Sequence, residues 1–123
     1  MAHVLVLDDE LEILRLVADQ LRGQGHQVVA VRTPQLALEI LKIPSNQFDL
    51  VLCDIVMPNK NGIDFVKEVQ GMPWFEGQVA IMSSYASMLE KEIGEAGVKH
   101  VLKKPFTIES LLLMMSPFAP IVA

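Results

Sequence analysis

The chain has 123 residues, of which 51% are hydrophobic and 20% charged, and a formal net charge of −5. That balance suits one compact domain and excludes a disordered polypeptide. The acidity argues against a basic nucleic-acid-binding face, and no apolar run approaches the roughly 20 residues that a membrane span needs.

In chain order, strands alternate with helical stretches. Residues 3–7, HVLVL, are apolar throughout, as in a strand buried on both faces of a parallel sheet. Leu11, Leu14, Val17, Ala18 and Leu21 then recur at helical spacing until Gly23 and Gly25. A second strand at 27–31 leads to Thr33 and Pro34, an N-cap and first-turn pair for a helix with Leu36, Ala37, Ile40 and Leu41 on its apolar face. Residues 48–53, FDLVLC, read as a third strand, followed by a turn through Pro58 to Gly62 and a helix carrying Ile63, Val66 and Val69. A fourth strand at 78–82, a helix at 87–95, a short strand at 100–102 and a last helix at 107–115, capped by Thr107 and stopped by Pro117, complete the series. Five strands alternating with five helices predict right-handed crossovers and a three-layer α/β sandwich.

Cys53 is the one cysteine, without a partner for an internal disulfide and without a cysteine or histidine cluster beside it. It fits a reducing, cytoplasmic setting and is expected to fill the strand as a small apolar residue. No secretory signal is expected, because no basic segment precedes an apolar one at the start. The histidines are scattered. Trp74, in the loop GMPWF at 71–75, reads as a structural plug.

In an open parallel sheet, ligands bind beyond the carboxyl ends of the strands. Asp8 and Asp9 follow the first strand and Asp54 the third; Ser83 and Ser84 follow the fourth, and Lys103, Lys104 and Pro105 the fifth. Each has a bland reading alone. Asp9 with Glu12 has the spacing of a capping box, Asp54 suits a turn, the serines suit a helix cap and the lysines a solvated pair. Together, four strand ends deliver site chemistry to one edge. Clustered carboxylates raise one another's pKa unless a cation neutralises them, and hard oxygen donors suit Mg²⁺ with a phosphoryl ligand. A carboxylate can be the nucleophile that becomes an aspartyl phosphate, with a lysine and a hydroxyl on the phosphoryl oxygens.

LDDE at 7–10, DIVMPNKNG at 54–62, IMSS at 81–84 and KKPF at 103–106, in this order, resemble the receiver domain of two-component response regulators, and are similar to single-domain chemotaxis regulators. The resemblance implies a flavodoxin-like (βα)5 fold with strand order 2-1-3-4-5, over residues 1–116, with 117–123 a tail or the start of a linker. It implies Asp54 as the phosphoryl acceptor, and Asp8, Asp9, Asp54 and the Val56 backbone carbonyl as ligands of Mg²⁺ or Mn²⁺. Ser83 matches the switch hydroxyl and Lys104 the lysine that pairs with the acceptor, followed by a cis bond to Pro105. A sensor histidine kinase or phosphotransfer protein would be the donor. Output would pass to a downstream protein or an attached output domain, with a phosphorylation-linked dimer as one form and no contact with nucleic acid or membrane. Such a domain catalyses only its own phosphorylation and dephosphorylation.

The chain departs from the family pattern at Val101, where an aromatic residue is common, and at Val56 and Tyr85, which carry no group to orient hydrolytic water. Those two positions imply slow self-dephosphorylation. The alternative within the same fold is a receiver-like interaction module that is never phosphorylated. A haloacid-dehalogenase-type phosphatase would need its Asp-x-Asp motif after the first strand. An electron carrier of the flavodoxin type would need a phosphate loop where DDELE stands.

Overall fold

Strands that are apolar on both faces need a helical layer on each side. The computed structural model describes residues 2–57 and 60–118. In it, β1 (His3–Leu7), β2 (Gln27–Val31), β3 (Leu50–Asp54), β4 (Gln78–Ser83) and β5 (His100–Lys103) form a parallel sheet in the order 2-1-3-4-5. This is the flavodoxin-like arrangement expected. Helices α1 (Leu11–Gly23), α2 (Pro34–Leu41), α3 (Gly62–Gln70), α4 (Glu90–Glu95) and α5 (Ile108–Met114) connect and follow the strands.

Alternation along the strands divides the core. Val4, Val6, Leu50, Leu52, Ala80 and Met82 pack with Leu14, Val17 and Leu21 of α1 and Leu111 of α5. Leu5, Leu7, Val51, Cys53, Val79 and Ile81 pack with Ala37 and Leu41 of α2, Phe65 and Val66 of α3, and Ile93 of α4. The register pairs Leu7 of β1 with Cys53 of β3, so Asp8 and Asp54 stand one step further along neighbouring strands. Both share the parity of Val4, Val6, Leu50 and Leu52, and therefore the α1 and α5 side.

Local chemistry explains most boundaries. Thr33 caps α2 by accepting the Leu36 N–H at 3.2 Å, with Pro34 in the first turn. Thr107 and Ser110 form a reciprocal capping box on α5. Trp74 is the plug expected of it, its Nε1–H donating to the Leu41 carbonyl at 2.7 Å.

Three readings shift. β3 begins at Leu50, because Asp49 spends its carboxylate on the His3 N–H at 2.8 Å and Phe48 stacks on the His3 ring. α4 begins at Glu90 instead of 87, since Ser87 and Met88 are exposed and only Ile93 of the helix is buried. Ser116–Phe118, beyond the last helix expected to end at 115, form a 3-10 turn that sets Phe118 edge-on to His100.

After β3 the backbone turns back on itself: Val56 and Met57 pair antiparallel with Asn61 and Lys60, and the Gly62 N–H donates to the Ile55 carbonyl at 3.0 Å. Gly62 is needed there, because a Cβ would strike the Ile55 backbone. Pro58 and the Val56 side chain lie outside what is described.

Gly77 has the same constraint at the opposite end of the sheet, where a Cβ would meet the Phe48 carbonyl and lie 2.9 Å from the Asp49 carbonyl. Replacing Gly77 with Ala should destabilise the fold by roughly 1–3 kcal/mol in urea unfolding. Gly23→Ala, with nothing within 4 Å of the added methyl, should instead stabilise by about 0.4–1 kcal/mol. Equal midpoints for the two variants would refute this account of the β3–β4 entry.

Candidate functional site

The carboxyl edge of the sheet gathers the residues that the strand ends deliver. Asp8 is buried just beyond β1, Asp54 is buried at the end of β3, and Ser83 is buried at the end of β4. Lys104 follows β5, and its N–H donates to the Ser83 carbonyl at 3.0 Å, tying the two strand ends together. The Lys104–Pro105 peptide is cis, as the resemblance implied. Neighbouring candidates separate cleanly: Ser84 and Lys103 are exposed, while Ser83 and the Lys104 side chain turn inward.

Lys104 Nζ is the hub. It lies 2.8 Å from Asp8 Oδ2, 3.2 Å from Asp54 Oδ2 and 3.4 Å from Glu10 Oε1, and its side chain is only 7% exposed. Asp8 also accepts the Glu10 N–H through Oδ1 at 2.9 Å. Burial raises the Asp8 pKa; the Lys104 ammonium and the Glu10 N–H oppose this, and the Glu10 carboxylate adds to it. Burial works against the charge on Lys104 too, but its bond to Asp8 and the fields of Asp54 and Asp8 outweigh it, so its pKa is raised. The ammonium therefore stays protonated among the acids.

Among the described residues, Asp8, Glu10 and Asp54 each present a carboxylate oxygen, and these oxygens lie within 4.8 Å of one another. Three hard, anionic donors this close fit a divalent cation. Asp9 is not one of the three; it is half-buried, and its backbone carbonyl accepts from Arg32 at 3.2 Å. Nor does Asp9 cap α1. The N-cap is Glu10, without a side-chain cap bond. Glu10 is the member that the sequence reading missed. Its signal was its place in LDDE, immediately before a helix whose first residue is Leu11.

Ser83 Oγ accepts the Tyr85 N–H at 2.9 Å. Tyr85 is 50% exposed, and Val101 stands exposed on β5, paired with Ile81. Cys53, directly beneath Asp54 in β3, is fully buried; burial first and the Asp54 charge second push its thiol pKa up, leaving it chemically inert. Of the described helices, none is long and apolar enough to cross a membrane.

The response regulator receiver domain model matches residues 4–116 of the chain. The transcriptional regulatory protein CpxR of Escherichia coli K12 is 31% identical over 113 residues, covering 91% of this chain and 47% of that protein. ZraR of Klebsiella oxytoca is 34% identical over 118 residues, covering 92% of this chain and 25% of that protein. The chain thus spans about half the length, or less, of these curated relatives. The chemotaxis response regulator CheY4 of Vibrio cholerae superposes with a TM-score of 0.85 at 28% identity, covering 95% of this chain and 98% of that one. With this match over nearly its whole length and an acid pocket with a lysine at the carboxyl edge of the sheet, the chain belongs to the response regulator receiver domains, phosphoacceptor signalling modules rather than true enzymes.

Proposed function

We propose that Asp54 is the phosphoryl acceptor, that Asp8, Asp9, Asp54 and the Val56 carbonyl hold Mg²⁺ (Mn²⁺ substituting) while the exposed Glu10 carboxylate stays at the rim beside Lys104, and that Ser83 and Lys104 receive the phosphoryl oxygens. The observation that carries this reading is the buried Lys104 ammonium, 2.8 Å from Asp8 and 3.2 Å from Asp54. A cation so placed can follow charge from the acceptor to a phosphoryl group bonded to it. When bound, the metal neutralises charge on the acids and on the incoming phosphoryl oxygens.

The donor is a phosphohistidine on a sensor kinase or phosphotransfer protein. An Asp54 carboxylate oxygen bonds to phosphorus as the P–N bond breaks, and the imidazole leaves with the electron pair and takes up a proton. Lys104 then exchanges carboxylate for phosphoryl contacts. The Ser83 hydroxyl gives up the Tyr85 N–H to donate to a phosphoryl oxygen, drawing in the β4–α4 loop. The altered surface addresses a downstream protein, an attached output domain or a second copy of the chain. That is a shift between two packings of one fold.

Incubation with acetyl phosphate and Mg²⁺ should add one phosphoryl mass to the wild type and none to Asp54→Asn. An unmodified wild type would favour the silent interaction module.

The pocket's charge imbalance yields a second test. Asp8 has a raised pKa in the fold, so its ionised form lowers stability as pH rises through that value. Metal-free Asp8→Asn should therefore melt a few degrees above wild type at neutral pH, yet lose most of the Mg²⁺-induced rise in Tm. A variant that keeps the full rise would remove Asp8 from the metal set.

Val56 and Tyr85 supply no amide or carboxylate for hydrolytic water. The phosphorylated form should persist far beyond seconds in Mg²⁺ buffer, and Val56→Asn should shorten its half-life. Loss within a few seconds in the wild type would contradict this.

A further inference from the structure

The three acids of the pocket are not equivalent. Asp8 and Asp54 form its floor, whereas the Glu10 side chain is 59% exposed at the rim. Glu10 is the N-cap of α1, but its carboxylate makes no capping bond and stands 3.4 Å from Lys104 Nζ. Its backbone N–H is fastened to the floor through Asp8 Oδ1 at 2.9 Å. The charge is thus held at the entrance by its own backbone below and by the lysine beside it.

A phosphodonor reaching Asp54 over this rim would bring its negative charge near the Glu10 carboxylate, and Lys104, shared between Glu10 and Asp54, would turn from Glu10 to meet the phosphoryl oxygens. Two like unit charges about 4–6 Å apart in water shift a rate constant by about three- to fivefold. The shift grows with donor charge, so Glu10 ranks donors without touching the reacting atoms.

We propose that Glu10 sets the charge selectivity of the site, disfavouring small dianionic acyl phosphates relative to N-linked donors whose protonated nitrogen lowers their net charge. The inference rests on Asp54 as acceptor. With acetyl phosphate a P–O bond breaks and acetate leaves. With phosphoramidate, protonated on nitrogen, a P–N bond breaks and ammonia leaves with the electron pair. In both, an Asp54 oxygen bonds to phosphorus. A phosphohistidine falls in the N-linked class.

The test compares the rate of adduct formation on Asp54, followed by intact mass, for acetyl phosphate and phosphoramidate in wild type, Glu10→Gln and Glu10→Asp. Mg²⁺ affinity without donor is measured in parallel by calorimetry. Glu10→Gln should raise the acetyl phosphate to phosphoramidate rate ratio by about three- to fivefold at low salt, less at high salt, while Glu10→Asp keeps the wild-type ratio. An unchanged ratio in Glu10→Gln overturns the inference and leaves the acceptor assignment standing. A fall in both rates in step with lost Mg²⁺ affinity overturns it in favour of Glu10 as a metal ligand. Absence of any adduct on wild type overturns the Asp54 assignment and this inference with it.

Discussion

The contact between the Lys104 ammonium and the carboxylates of Asp8 and Asp54 is the constraint on which the site depends. Two acids buried on adjacent strands repel each other, and the Lys104 ammonium beside both offsets that repulsion. The lysine supplies it from the far end of the chain, 96 residues from Asp8 and 50 from Asp54 in sequence. Only a sheet that sets β1 beside β3 and leads β5 towards the same edge can make that contact. Fold and charge balance are therefore one requirement.

The balance is deliberately incomplete. Among the described residues one ammonium faces three carboxylates, an excess of negative charge that suits a further cation. The same excess makes the resting pocket costly: burial of Asp8 raises its pKa, and the Glu10 carboxylate adds to it. A site arranged this way is less stable empty than filled, the usual condition of a functional pocket.

Much of this was legible in the sequence because strand ends are. An apolar run that stops at an acid, a serine or a lysine marks both the end of the strand and what it projects, and parity then separates Ser83 from Ser84 and Lys104 from Lys103. What was not legible depends on side-chain direction where no period applies. Asp9 and Glu10 sit between strand and helix, and spacing alone does not tell which carboxylate turns to the lysine. α4 was read too long because helical spacing was counted without an apolar face to anchor it; Met88 is 79% exposed. The start of β3 differs because Phe48 and Asp49 have the composition of the strand but precede its first pair, Val4 with Leu50: Phe48 stacks on the His3 ring and the Asp49 carboxylate takes the His3 N–H. The strand order was implied by resemblance, since alternation of strands and helices fits several orders.

The Trp74 plug has a spectroscopic consequence. It precedes β4 and Ser83 ends it, so a strand of about 20 Å separates the chain's one tryptophan from the edge where its one tyrosine, Tyr85, stands. The two chromophores occupy opposite poles of the sheet. Indole emission, tied to the Leu41 carbonyl, follows the integrity of the α2–α3 end, whereas tyrosine absorbance follows events beside Ser83. The domain thus carries an intrinsic chromophore at each end of the sheet, and no extrinsic dye is needed to tell the two ends apart.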